Sequence, residues 1–146
     1  MTYLVTGGTG LIGSRIVRDL VREGERVVVY DWLPNRSALA GALSEQEIDD
    51  KVTIVPGDVT DAPGLIRTIK ENNVEKIIHT ASLLVLDSNS NPLRALKINS
   101  EGTICVFEAA RILGLKKVVW SSSNSVLMMA TIFPTLYSPE VAIGAL

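Results

Sequence analysis

A few residues of this chain have the types and spacing that could do chemistry. Gly7, Gly10 and Gly13 recur at every third position in "LVTGGTGLIGSRIV", where missing side chains would let backbone amides close on an anion. Ser121, Ser122 and Ser123 interrupt the apolar run of "KKVVWSSSNSVLMM", and a hydroxyl there could orient a ligand, given a partner for its proton. His79 and Cys105 are each the single residue of their type. A lone imidazole at a strand end reads as satisfied structure, and Cys105, mid-helix among apolar neighbours, as a buried small hydrophobe. Neither is assigned chemistry, and no metal-ligand set is found.

The elements that would position these residues follow from hydrophobic period. Short runs of branched aliphatics alternate with longer stretches of helical period, the pattern of a parallel sheet with crossover helices. Strands are predicted at residues 3–6, 26–31, 52–55, 76–79 and 116–120. Helices are predicted at 11–22, where Ile12, Ile16 and Leu20 flanked by Val17 and Val21 make a stripe, and at 62–71, with Asp61 as N-cap and Pro63 in the first turn. A third runs from about 92 to 113. Its spacing puts Leu96, Asn99, Thr103, Phe107 and Ala110 on the face expected to meet the sheet, so Asn99 would be a buried amide in need of partners. Segment 33–51 reads as a loop with one helical piece, because Gly41 breaks it. The expected fold is α/β: a three-layer, Rossmann-type doubly wound parallel sheet of about five strands.

That frame gives the glycines a meaning. They leave a strand and enter an amphipathic helix, as a dinucleotide-binding turn requires. Gly7 would allow the sharp turn, Gly10 would let amides approach a pyrophosphate, and Gly13 would let helix and strand pack closely. The anion would sit on the backbone of Gly10, Leu11, Ile12 and Gly13 at the head of the helix. Asp31 ends the second strand, where a carboxylate can accept both ribose hydroxyls of an adenosine. A 2′-phosphate would be repelled there, so NAD is expected over NADP, with Arg36 close enough to offset the preference.

With 146 residues the chain fits one core-bearing domain. Charge is nearly balanced, 14 basic against 16 acidic residues, so no field favours nucleic acid or an anionic membrane. One cysteine excludes an internal disulfide, and a strand beginning by Tyr3 leaves no room for a leader, so a cytoplasmic protein is expected. The apolar tail after Val126 is interrupted by Pro134, Pro139 and Glu140 before the ~20 residues of a membrane span.

Beyond the glycines, "GDVTD" at 57–61, "IIHTAS" at 77–82, "NSEGTICVFEAAR" at 99–111 and "VVWSSSNSV" at 118–126 occur in order. On these motifs the chain resembles the extended short-chain dehydrogenase/reductases, the group containing NAD-dependent nucleotide-sugar epimerases and dehydratases. The resemblance implies that Asp58 and Val59 contact adenine, and that Ala81 and Ser82 line the pyrophosphate and nicotinamide ribose. It implies that Asn99 lies near the cofactor, though a purely structural amide is equally open. Ser123 matches the family's catalytic serine, and Ser121 beside it is counted with the cofactor residues. Residues 1–126 would form the NAD(P)-binding domain, and 127–146 a divergent apolar tail without a domain of its own.

The family's proton carrier is a tyrosine in a Tyr-x-x-x-Lys helix, since a phenol needs a nearby cation to act near neutral pH. Here Tyr137 is followed at that spacing by Val141, Pro139 opposes a continuous helix, and no lysine occurs after Lys117. Three readings therefore stay open. The chain is the cofactor half of an epimerase, dehydratase or reductase acting on a nucleotide-sugar, or a non-catalytic NAD-binding sensor, or an interaction module with an apolar tail. The resemblance implies a homodimer built on two helices; with only one of them here, that dimer is disfavoured.

Overall fold

The computed structural model describes residues 1–41 and 43–122. Five strands form one all-parallel sheet: β1 (Thr2–Thr6), β2 (Arg26–Asp31), β3 (Val52–Pro56), β4 (Lys76–His79) and β5 (Lys117–Trp120), in the order β3-β2-β1-β4-β5. The runs expected from sequence agree with these strands to within a residue at each end. Register pairs Leu4 with Val28 on one side and with Ile77 on the other, and Val5 with Val29 and Ile78.

Because side chains alternate across a strand, the sheet buries two separate cores. On one face Leu4, Val28 and Ile77 pack with Leu65 and Ile69 of α4 (Ala62–Glu71) and with Val106 and Ala109 of the long helix before β5. On the other, Val5, Val27 and Val29 pack with Val17, Leu20 and Val21 of α1 (Gly13–Arg22), and with Leu39 and Ile48 of two short helices, α2 (Ser37–Ala40) and α3 (Glu45–Lys51). Three layers result, as expected.

Four expectations need correction. α1 begins at Gly13, not at residue 11, and Ile12 is 58% exposed in the turn before it, outside the stripe assigned to it. Segment 33–51 holds two helices; Ser44 and Glu47 cap the second reciprocally, each side chain bonding the other's backbone amide. A further helix, α5 (Val85–Ser90), was not anticipated. The long helix is α6 (Pro92–Leu96), a π-helical turn (Lys97–Glu101) and α7 (Gly102–Leu113) in unbroken succession, and it meets the sheet with the neighbouring column of residues.

That last correction has a packing cause. α7 is apolar nearly all round, so period alone favoured its largest residues; burial instead goes to the small ones, Ala95, Gly102, Val106, Ala109 and Ala110, which bring the helix close. Leu96 and Phe107 are 62% and 43% exposed, and Phe107 meets Trp120 edge to face at 6.3 Å between ring centroids. Cys105 is half-buried, its Sγ 3.8 Å from the Thr60 carbonyl, and burial raises its thiol pKa above the ordinary value. A thiol shifted this way has less thiolate at neutral pH than a free cysteine. Asp61 caps α4 as expected, accepting from the Gly64 amide at 3.1 Å.

Ile77 is fully buried at the centre of the sheet. Truncation by Ile77→Ala is expected to cost about 2–5 kcal/mol, read as a lowered urea midpoint at unchanged slope.

Candidate functional site

The glycine turn is built as its spacing predicts. Gly7 leaves β1 with φ +65°, and its amide donates to the Tyr30 carbonyl at 2.9 Å, pinning the turn to β2. A side chain at Gly7 would also lie 2.9 Å from the Ala81 Cα. The Gly10 amide donates to the Gly7 carbonyl at 3.0 Å, and Gly13 packs directly on the Gly7 carbonyl, so α1 starts against the turn. Leu11 and Ile12 turn their side chains to solvent, and their backbone forms the bend that opens α1. In that first turn the Ser14, Arg15 and Ile16 amides already donate to backbone carbonyls, at 3.0, 3.2 and 3.2 Å, so an anion would be met by the amides just before them, at Leu11, Ile12 and Gly13.

Asp31 stands across from the turn and is joined to it. Its Oδ2 accepts from the Thr9 amide at 3.0 Å and from the Thr9 hydroxyl at 2.7 Å, while Oδ1 has one long contact, 3.4 Å from the Leu33 amide. Thr9 was not singled out in the sequence, although it lies within the glycine motif. Arg36, weighed above as a partner for a 2′-phosphate, is held by Glu45 and Asp49, each at 2.7 Å. Both carboxylates raise its pKa. Arg36 is thus bonded to those carboxylates and does not line the cleft.

Behind Asp31, Tyr30 is buried and donates to the Asp58 carbonyl at 3.1 Å. Burial first, then the charges of Asp61 and Asp58, push its phenol up to about 12, so it stays protonated. The Asp58 carboxylate accepts from the Thr60 amide and hydroxyl at 2.9 and 2.8 Å, which fixes the bend after β3, and Val59 is buried beside it.

The fourth wall is the segment 80–83. Ala81 and Ser82 lie on it; Asn99, exposed and not buried as expected, clamps its far end, accepting from the Leu83 amide at 2.8 Å and donating to the Leu83 carbonyl at 3.1 Å. The two-residue stretch after β5 bonds back to β4: the Ser121 amide and hydroxyl reach the His79 carbonyl at 3.2 and 3.4 Å. Ser123 and Tyr137 lie outside the described residues.

Together these parts enclose a cleft of about 540 Å³ at the carboxyl ends of the strands. Of the residues expected from sequence, Gly7, Gly10, Asp31, Asp58, Val59, Ala81 and Ser82 line it. Leu11, Ile12, Gly13, Asn99 and Ser121 do not; Gly13 and Asn99 act through Gly7 and Leu83. Sequence reasoning missed Tyr30, Trp32, Gly57, Thr80, Leu83, Arg94 and Ile98. Trp32 directly follows Asp31 and was within reach of the same logic, whereas nothing local marks Arg94. A cleft of this size at the strand-order switch, with amides for an anion and a carboxylate for a ribose, fits a dinucleotide. Among the described residues no group of three or more His, Cys, Asp or Glu side chains could hold a metal ion, and no helix is long and apolar enough to cross a membrane.

Fold and cleft thus define a dinucleotide-binding α/β protein of the doubly wound class. Residues 3–135 match the NAD dependent epimerase/dehydratase family, and the chain belongs to it. It is similar to the UDP-glucose 4-epimerase of Bacillus subtilis (strain 168), 36% identical over 127 residues, which are 86% of this chain and 38% of that relative. Among solved structures, the UDP-glucose-4-epimerase of Stenotrophomonas maltophila with bound NAD and formylated UDP-arabinopyranose superposes with a TM-score of 0.77 at 30% identity, over 86% of this chain and 38% of that one. The Brucella ovis UDP-glucose 4-epimerase in complex with NAD gives 0.70 at 30% identity, over 83% and 35%. The chain therefore spans little more than a third of the length of these relatives.

His79 is buried, and desolvation pushes its pKa down from 6.5 to about 4. A depressed folded-state value means that the unfolded chain takes up the proton first. Stability is therefore fully present above pH 6.5 and falls as pH drops from there towards 4, by up to ~3 kcal/mol. As His79 is the single histidine, its loss is read between pH 6.5 and 5, above the ordinary carboxylate range, and urea midpoints across that range should fall in the wild type and fall less in His79→Gln.

Proposed function

We propose that this chain binds NAD across the cleft, diphosphate over the glycine turn and adenosine ribose on Asp31. The observation that carries the reading is the bond between the two: Thr9, inside the turn, holds Asp31 by amide and hydroxyl, at 3.0 and 2.7 Å. One ligand that needs both an anion site and a ribose acceptor at fixed separation is a dinucleotide. Asp58 and Val59 would border the adenine, and Ala81 and Ser82 the diphosphate and nicotinamide ribose. The likeness to epimerases whose solved structures contain NAD supports the same cofactor.

Activity is a separate matter. The relatives act on nucleotide sugars, and a chain of this kind would serve an epimerase or dehydratase by holding the cofactor that supplies hydride chemistry when bound. In such an enzyme Ser123 would orient a substrate hydroxyl. Tyr137 followed by Val141 leaves the proton carrier untuned, which favours, for this chain by itself, a binding role without turnover. The second reading is accordingly a cytoplasmic NAD-binding sensor, with residues 1–126 as its binding domain.

Calorimetric titration of the 146-residue chain should give saturable heat with NAD and binding at least ~10-fold weaker with NADP. Asp31→Ala should weaken NAD by ~10-fold or more, as expected for a lost charge-assisted hydrogen bond. No heat from either dinucleotide at millimolar concentration would refute the proposal. With UDP-glucose and NAD the isolated chain should form no epimerised product; turnover would remove the sensor reading.

A further inference from the structure

The segment 80–83 walls the cleft without regular secondary structure, so its position depends on individual bonds. At its near end Thr6 Oγ1 receives the Thr80 and Ala81 amides, at 3.2 and 3.3 Å, and the Thr6 carbonyl also accepts from the Thr80 amide at 3.2 Å and the Thr80 hydroxyl at 2.7 Å. At its far end Asn99 clamps Leu83 in both directions. Between the two holders lies His79, buried, with Nδ1 2.6 Å from Thr6 Oγ1 and Nε2 3.1 Å from Thr103 Oγ1. Thr103 Oγ1 in turn donates to the Asn99 carbonyl at 2.7 Å.

Proton counting fixes the direction of this chain. A hydroxyl has one hydrogen. Thr103 spends its own on the Asn99 carbonyl, so towards His79 it accepts, and Nε2 carries the imidazole proton. Nδ1 is then bare and accepts from Thr6. With its hydrogen aimed at His79, Thr6 has both lone pairs free, one for each amide of Thr80 and Ala81. The opposite tautomer would set an N–H of His79 against Thr6 and take one of those lone pairs; Thr80 would keep the Thr6 carbonyl, so the amide released is that of Ala81. The wall matters to the glycine turn as well, since Ala81 is the residue that a side chain at Gly7 would strike.

We infer that His79 is a positioning residue for the bound dinucleotide: its Nε2–H tautomer, read through Thr6 and through Thr103 to Asn99, sets the segment 80–83 that faces the diphosphate and nicotinamide end, without touching the ligand. The inference rests on the dinucleotide reading above. No second ionisable group takes part in the relay, whose members are two threonines, one asparagine and backbone.

The test compares NAD with AMP, which carries the adenosine half alone, on the full chain. Thr103→Val removes the acceptor of the Nε2 proton and keeps the shape, and should weaken NAD about tenfold while AMP changes less than about twofold. Thr103→Ser, which restores the hydroxyl, should return NAD affinity to within about twofold of wild type. His79→Phe should show the larger loss in the same NAD-to-AMP ratio. Long-range proton–nitrogen spectra of the wild type should put the imidazole proton on Nε2. A proton on Nδ1, an equal loss of NAD and AMP, or unchanged NAD affinity in Thr103→Val would overturn the positioning role. A wild-type chain that binds neither ligand would instead overturn the dinucleotide reading and the inference with it, so the two failures are told apart. If His79→Phe does not fold, the threonine pair and the spectrum decide the matter.

Discussion

The contact between Thr6 and His79 joins the side chains at the paired ends of β1 and β4, where the cleft opens. In the order β3-β2-β1-β4-β5 the chain builds outward from β1 to β3 and then returns to add β4 and β5 on its other side. The strands flanking this reversal send their connections to opposite faces, which opens a crevice at their carboxyl ends. A parallel sheet leaves its terminal polar groups without ladder partners there. Side chains supply them: Thr6 and His79 are fully buried, and among the described residues no buried side-chain polar atom lacks a partner. Because a partly satisfied network in a low-dielectric interior is costly, this one holds its members in a single arrangement.

Around that seam the site is assembled from parts that are each fixed before any ligand arrives. The glycine turn hangs from Tyr30 by one amide, Asp58 is locked by Thr60, and Arg36 is drawn away by Glu45 and Asp49. Two carboxylates therefore face the cleft on the β2 and β3 side, while the amides before α1 offer the positive pole. This polarity suits a ligand with hydroxyls at one end and an anionic bridge in the middle.

Strand positions were legible because Val and Ile runs broken by Gly, Asn and Asp allow few alternatives, and the turn was legible because its glycines fall between a strand and a helix. Asp61 declared itself as a cap by the Pro63 that follows. The face of the long helix was not legible: its apolar residues surround it, and close packing through Ala and Gly outweighs the larger Leu96 and Phe107. The capping box of Ser44 and Glu47 was readable and was passed over, so the second short helix was missed. Asn99 was recognised as an amide with a task, but its partner, the backbone of Leu83, lies on a segment whose course no local pattern encodes. Arg94 and Ile98 reach the cleft only through tertiary folding.

The unequal use of the two Asp31 oxygens has a consequence for how binding would be tuned. Oδ2 is occupied from within by Thr9, while Oδ1 carries only a weak contact. The rotamer of the carboxylate is thus chosen during folding, and the ordering entropy that a free side chain would lose on capture has already been lost. Affinity at this corner would then respond to residue 9 as well as to residue 31, and the threonine behind the carboxylate would become a lever on how tightly a sugar is held.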